Sequence, residues 1–436
     1  MASTTTTTTD PFAGDAPIKT RLPYPYLTTY NLERTSTSEQ SWALRKAESQ
    51  DAAGKPFPHV LHNDRLTFTR LPATEADSTI DENDNTPWAN ARRSPVWVAS
   101  WTGSEAPTRN QVWLFLYLFF AIDSKTETVR LRVEGEGFQG LADALLNAMV
   151  AIEHPAPSYG SKQKLETVPG ETLILRSAFW QGCASPLGTQ PIWLPSWNPS
   201  LVPHVEYVLT PIDSALLRHP RRAPKPAPGS ILYSRYIPSL DKHFALQTVD
   251  YKNADHLNLF HTWQNDPRVA KGWMESGTLE HHRSYLNTLH DDPHVIPVFG
   301  CLDGHQFAYF ELYWAKEDKM GAHYASLDFD RGRHALVGDA SYRGQHIITA
   351  WWPSIMHYEF IDDCRTEQVV GEPRLTNEKI LMYEMIFGLH QNRFLDLPHK
   401  RANLVVISRE RFFQLCPFQQ MLPRVAGTNF GFEPKL

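Results

Sequence analysis

Cysteine is scarce in this chain: four residues in 436, at positions 183, 301, 364 and 416, with no CxxC pair among them. That spacing argues against a disulfide framework and a zinc site, and suits a reducing compartment. A basic excess is lacking as well. The formal net charge of −6 speaks against a nucleic-acid or membrane-surface partner. The longest apolar run, residues 112–122, is too short to span a bilayer and is aromatic-rich like a buried strand. The opening MASTTTTTTDPFAGDAP has no basic-then-apolar order of a secretory signal, so residues 1–20 read as a disordered leader. His281, His282 and His294 have no acidic partners at metal-ligand spacing, and no metal is expected.

What the chain does have is enough length for two cores, with 42% hydrophobic and 21% charged residues in the ordinary globular range. The clearest boundary is RHPRRAPKPAPGS, residues 218–230, where four prolines favour extended backbone and three arginines and a lysine keep it solvated. It divides an N-terminal α+β domain, 21–217, from a C-terminal domain, 231–436. In the first, 96–101, 111–122 and 128–134 read as strands and 137–153 as an amphipathic helix. His154 and the QPIWLPSWNPS segment read as structural. In the second, a strand is predicted at 244–249, helices at 255–265 and 278–289, and strands at 295–302 and 306–313 around an Asp303-Gly304 turn. Thr278 suits an N-cap, with His281 in the capping-box place. Strands at 334–338, 367–371 and 403–408 then alternate with helices at 346–360 and 377–390.

The chemistry lies between these last elements. In DASYRGQH, residues 339–346, a strand ends, the chain turns through Arg343 and Gly344, and a helix opens near His346. Amides at a helix start favour an anion such as a pyrophosphate, Gly344 allows close approach, and Arg343 adds charge; alone, the segment also reads as an ordinary capped turn. Alternation puts His334, Leu336 and Gly338 on one strand face. Glu372 ends the next strand before Pro373, where neighbouring strands can part. His334 and Glu372 could share proton handling there; the plain alternatives are a core histidine and a carboxylate capping a helix near Thr376. On the strand at 306–313, Tyr309, Glu311 and Tyr313 share a face, and Trp314 belongs to the other. Glu311 either meets a cationic amino-acid acceptor or stands in solvent on an edge strand. Asp330, Arg331 and Arg333, and likewise His399, Lys400 and Arg401, read as solvated turns or as contacts to a phosphate or a carboxylate.

The motifs NDPRVA (265–270), YFELYWAKED (309–318), DRGRHALVGDASYRGQH (330–346), EPRLTN (372–377) and PHKRANL (398–404) together resemble one family. It is the siderophore-biosynthesis branch of the GCN5-related N-acyltransferases: hydroxylysine acetyltransferases, a mycobactin lysine acyltransferase and fungal hydroxyornithine transacylases. The resemblance implies an α/β (α+β mixed-sheet) fold in the C-terminal half, after an N-terminal half that permits a degenerate unit of similar kind. It implies His334 and Glu372 as the catalytic pair, Glu372 standing where mycobacterial relatives have Asp. It implies acyl-CoA as co-substrate, with no permanently bound cofactor, held by Leu336, Val337, Gly338, Arg343, Gly344, Gln345 and His346. Tyr309, Glu311, Tyr313, Trp314 and Asn377 are expected to hold the acceptor, N5-hydroxy-L-ornithine. The absence of a Cys or Ser nucleophile motif agrees with direct transfer. Anhydromevalonyl is the expected acyl group, because Pro434-Lys435-Leu436 is a variant of the small-basic-Leu tripeptide read by the peroxisomal import receptor. A cytoplasmic acetyl-CoA enzyme and an inactive scaffold are the alternatives, and a homo-oligomer is left open.

Overall fold

In the computed structural model, the described residues are 10–35, 40–47, 54–74, 77, 79–123, 125–158, 168–197, 205–212, 215–397, 400–418, 424–425 and 428–429. Contacts divide the chain into two compact units, Met1–Thr189 with Pro423–Asn429, and Gln190–Leu422 with Phe430–Leu436. Among the described residues no helix is long and apolar enough to cross a membrane.

The first unit runs β1 (Ile18–Arg21), β2 (Thr29–Arg34), β3 (Ser41–Lys46), β4 (Leu66–Leu71), α1 (Pro87–Arg93) and β5 (Val96–Trp101). It continues with α2 (Arg109–Ile122), β6 (Thr128–Glu134), α3 (Phe138–Asn147), β7 (Ala151–Ile152), β8 (Glu171–Leu175) and α4 (Arg176–Trp180). Residues 111–122, expected as a strand, form most of α2. The run is buried all round, so it carries no helical period; the local signal was Thr108 followed by Gln111, whose side chain accepts from the Thr108 amide. Phe115 of α2 stacks on Phe68 of β4 at 4.0 Å. Within the expected leader, residues 10–20 are described and Phe12 is buried against Trp42, Trp97 and Phe119.

The second unit opens with a hairpin, β9 (Tyr207–Ile212) and β10 (Ala215–Pro220), then β11 (Ile231–Ile237) and β12 (Lys242–Thr248). Helices α5 (Ala254–Gln264), α6 (Pro267–Trp273) and α7 (Leu279–Asp291) precede β13 (Val295–Leu302), β14 (His305–Trp314) and β15 (Arg331–Val337). Then come α8 (Gln345–Asp362), β16 (Gln368–Gly371), α9 (Glu378–Ile386), β17 (His390–Leu397), β18 (Lys400–Ser408) and α10 (Arg409–Leu415). The helix expected to reach residue 390 stops at Ile386, and β17 follows. That strand is exposed from His390 to Phe394, and only Leu395 and the half-buried Leu397 alternate at its end, too short a pattern to read.

The boundary expected at 218–230 falls earlier. Trp193 is buried and its carbonyl accepts from Ser234, which ties the Trp-rich segment to the second unit. The Pro-rich stretch is largely exposed from Arg221 to Pro228, but two of its cations anchor it: Arg222 forks onto Glu317 with two bonds of 2.6 Å, and Lys225 donates to the His290 carbonyl at the end of α7.

Both units carry an eight-stranded sheet, ordered β1-β2-β3-β4-β5-β6-β8-β7 in one and β11-β12-β13-β14-β15-β16-β18-β17 in the other. Each has a parallel pair at the same place. In the first unit β5 and β6 stay paired over five positions, Val96↔Arg130 to Ser100↔Glu134. In the second, β15 and β16 pair only at Arg331↔Val369 and Gly332↔Val370. The first sheet is zipped there; the second is open.

Candidate active site

Past Gly332, β15 stays bonded to β14 as far as Val337, while β16 ends at Gly371, two residues before Pro373. A wedge-shaped cleft of about 630 Å³ opens between them. The Gly338 amide donates to the Phe307 carbonyl, so by alternation Leu336 and His334 also bond to β14. The backbone groups of Ala335 and Val337 therefore face the cleft. A chain of amides can be held there as though it were a strand.

His334 and Glu372 each lie two residues beyond the last pair, Gly332↔Val370, and so meet across the gap. His334 Nε2 is 3.0 Å from Glu372 Oε1, and its Nδ1 is 3.0 Å from Glu311 Oε2. Both ring nitrogens face carboxylates, so both carry protons in the resting site. Burial opposes the charge on His334, but Glu372 and Glu311 outweigh it and hold its pKa well above the usual value. Burial would likewise raise Glu372, yet His334, Lys400 and Tyr313 hold it well below the usual carboxylate range. The remaining oxygens are occupied. Tyr285 and Tyr309 donate to Glu311 Oε1 at 2.6 and 2.9 Å, Tyr313 to Glu372 Oε2 at 3.0 Å, and Lys400 to Glu372 Oε1 at 3.3 Å. Burial, reinforced by these carboxylates, raises all three tyrosines, so they remain phenols and donors.

The other end of the wedge has the chemistry to hold an anion. Gly344 is the N-cap of α8 with φ 153° and ψ 161°, a conformation essentially reserved for glycine. It turns the chain so that the first amides of α8 and the helix dipole face the mouth. Arg343 donates to the Gly338 carbonyl at 3.0 Å, and Arg268 of α6 donates to the Val337 carbonyl at 2.7 Å. Burial and the neighbouring Arg343 charge lower the Arg268 pKa, so this pair of cations would be relieved by a bound anion.

Of the residues singled out in the sequence, His334, Glu372, Glu311, Leu336, Val337, Arg343, Gly344 and Asn377 line the cleft. Asn377 also caps α9. Tyr309 and Tyr313 are buried and reach the cleft only through the carboxylates they hold. Trp314 is turned away, stacked on Arg222 and Arg331 at 4.2 and 4.1 Å. Gly338 lies under Trp263, where a Cβ would come within 2.0 Å of the indole. His346 is exposed in the first turn of α8 and is not among the lining residues; the Gln345 side chain and His399 lie outside the described residues.

The supposed solvated cluster is buried: Arg331 pairs with Asp362, Arg333 with Glu384, and Asp330 accepts from Tyr324. Lys400, expected at a phosphate or acceptor carboxylate, is bonded to Glu372. The sequence reading missed Arg268, Trp273, Tyr285 and Glu384 as cleft residues. Arg268 had been visible within NDPRVA; Glu384 and Tyr285 carried no local signal.

A mixed sheet that splays at its parallel pair, followed by an anion-binding turn and helix, defines a GCN5-related acyl-CoA transferase. Residues 252–397 match the family model described as an acetyltransferase (GNAT) domain. The chain is 42% identical to the N(5)-hydroxyornithine:cis-anhydromevalonyl coenzyme A-N(5)-transacylase SIDF of Beauveria bassiana, over 95% of this chain and 96% of the relative. It is 44% identical to the hydroxyornithine transacylase SID3 of Ajellomyces capsulatus, over 91% and 93% respectively. It is 39% identical, over 95% and 96%, to SAT14 of Stachybotrys chartarum, an O-acetyltransferase by name. The chain belongs to the siderophore-biosynthesis branch of the GCN5-related N-acyltransferases.

Proposed function

We propose that this enzyme transfers the anhydromevalonyl group from coenzyme A to the side-chain hydroxylamine nitrogen of N5-hydroxy-L-ornithine, giving a hydroxamate. The observation that carries this reading is the near full-length identity with the Beauveria bassiana transacylase, in a chain whose wedge holds a His334–Glu372 pair. A hydroxylamine is far less basic than an alkylamine, so its nitrogen is already neutral near pH 7. The site's work is alignment, polarisation of the carbonyl and proton removal. The nitrogen attacks the thioester carbon, the C–N bond forms and the C–S bond breaks. The N–H proton passes to the His334–Glu372 pair and on to the leaving thiolate. The cleft-facing amides of Ala335 and Val337 are placed to hold the pantetheine and the carbonyl oxygen, and Arg268, Arg343 and the α8 amides to hold the pyrophosphate.

The relative named as an O-acetyltransferase favours a second reading, acetyl transfer to oxygen. One competition assay separates the two. With N5-hydroxyornithine as acceptor and acetyl-CoA and anhydromevalonyl-CoA present together, the expected product is the N-anhydromevalonyl hydroxamate, which gives a coloured iron(III) complex. An O-acetyl product, which gives none, would reverse the assignment. The Pro434-Lys435-Leu436 tail lies outside the described residues; it supports a peroxisomal location, which a tail-deleted fluorescent fusion would test by becoming diffuse.

Charge around His334 sets the pH dependence. A raised imidazole pKa keeps the proton on, so the neutral base accumulates only as pH climbs through that raised value. The acid limb of kcat/KM is therefore expected above the ordinary histidine value of about 6.5. Glu311→Gln removes one of the charges that retain the proton and should move the limb to lower pH. A limb unmoved in this variant would mean that another group titrates.

A further inference from the structure

We propose that the buried Arg333–Glu384 pair recognises a hydroxyl group at the far end of the acyl chain and thereby sets which acyl-CoA is accepted. The inference rests on the transacylase reading above. Arg333 alternates with His334 along β15, so the two side chains leave the strand on opposite faces, Arg333 toward α9. Its Nη2 donates to Glu384 at 2.9 Å, with the two side chains only 3% and 6% exposed. Its Nη1 is also buried and has no hydrogen-bond partner among the described residues. A buried guanidinium N–H without an acceptor is costly, and native sites seldom keep one without a use.

The surroundings say what the missing acceptor belongs to. Both members of the pair line the cleft, together with Ile348, Trp351, Trp352 and Tyr383. The Arg333 guanidinium carbon lies 5.2 Å from the Trp352 ring. Glu384 Oε1 is 3.4 Å from where a Cβ on Gly371 would stand, so the ion pair sits at the apex where β15 and β16 separate. Glu359 of α8, a second acid that feels the Arg333 charge, has neither oxygen hydrogen-bonded among the described residues, so it does not satisfy Nη1. A hydrocarbon chain would match the aromatic wall and leave Nη1 bare. A chain of about five carbons ending in a hydroxyl would offer an acceptor to Arg333 and a donor to Glu384. The anhydromevalonyl group, a branched enoyl chain with a terminal hydroxyl, has this form; acetyl has neither the length nor the hydroxyl.

The test compares anhydromevalonyl-CoA with its deoxy analogue, 3-methylpent-2-enoyl-CoA, using the full chain and N5-hydroxyornithine. Wild type should favour the hydroxylated ester by roughly tenfold or more in kcat/KM, because the analogue leaves a buried polar group unpaired. Arg333→Met/Glu384→Met, which replaces the ion pair with apolar groups of similar volume, should lose that preference. Glu384→Gln, nearly isosteric, should reduce it and supplies the ratio if the double variant does not fold. Equal use of the two esters by wild type, or a wild-type ratio in the variants, overturns the inference and leaves the transacylase reading standing. Turnover of neither ester overturns both.

Discussion

Replacing His334 with alanine is expected to lower kcat by about a hundredfold to ten-thousandfold while leaving the KM for acyl-CoA nearly unchanged. His334 has both nitrogens bonded to carboxylates at 3.0 Å, whereas the groups proposed to hold the pyrophosphate, Arg343 among them, sit at the α8 end. Its removal takes away proton transfer but no contact to the nucleotide. It also leaves Glu311 and Glu372 facing each other, with Lys400 still bonded to Glu372, so a modest fall in Tm should accompany the change. Glu372→Gln keeps the shape and the Tyr313 hydrogen bond but removes the charge that pairs with His334. It should give a similar, smaller fall in kcat. Steady-state kinetics with a thermal melt checks both; a KM effect without a kcat effect would assign the pair to binding.

Gly344→Ala should act in the opposite sense, raising the KM for acyl-CoA by roughly tenfold to a hundredfold with kcat at saturation largely kept. The backbone at φ 153° and ψ 161° costs a residue with a side chain about 1–3 kcal/mol. The new Cβ would also come within 3.0 Å of the His346 ring. The turn relieves that strain by moving, and the α8 amides and Arg343 move with it. Isothermal titration with CoA checks the change; unaltered affinity would remove the turn from pyrophosphate binding.

Local chemistry was legible where one segment decides its own structure. Asp303 and Gly304 adopt φ 47° and 81°, the turn their identities call for, and the Thr278 hydroxyl accepts from His281. His334 and Glu372 could be read as partners because alternation and a following proline define where each strand presents its last side chain. Segment 111–122 was misread because a fully buried helix and a buried strand share the same unbroken apolar pattern. The supporting residues were hidden for a different reason. Tyr285, Glu384 and Lys400 come from α7, α9 and β18, and only the folded sheet brings them to the wedge. The charged run from Asp330 to Arg333 looked like surface because its partners, Asp362, Glu384 and Tyr324, could not be inferred from spacing.

The most direct test of the account is a crystal structure of the enzyme with coenzyme A and N5-hydroxyornithine. The pantetheine should run between β15 and β16, bonded to the backbone of Ala335 and Val337, with its sulfur and the hydroxylamine nitrogen meeting beside His334 and Glu372. Coenzyme A bound outside that gap, or an acceptor nitrogen remote from the pair, would contradict it.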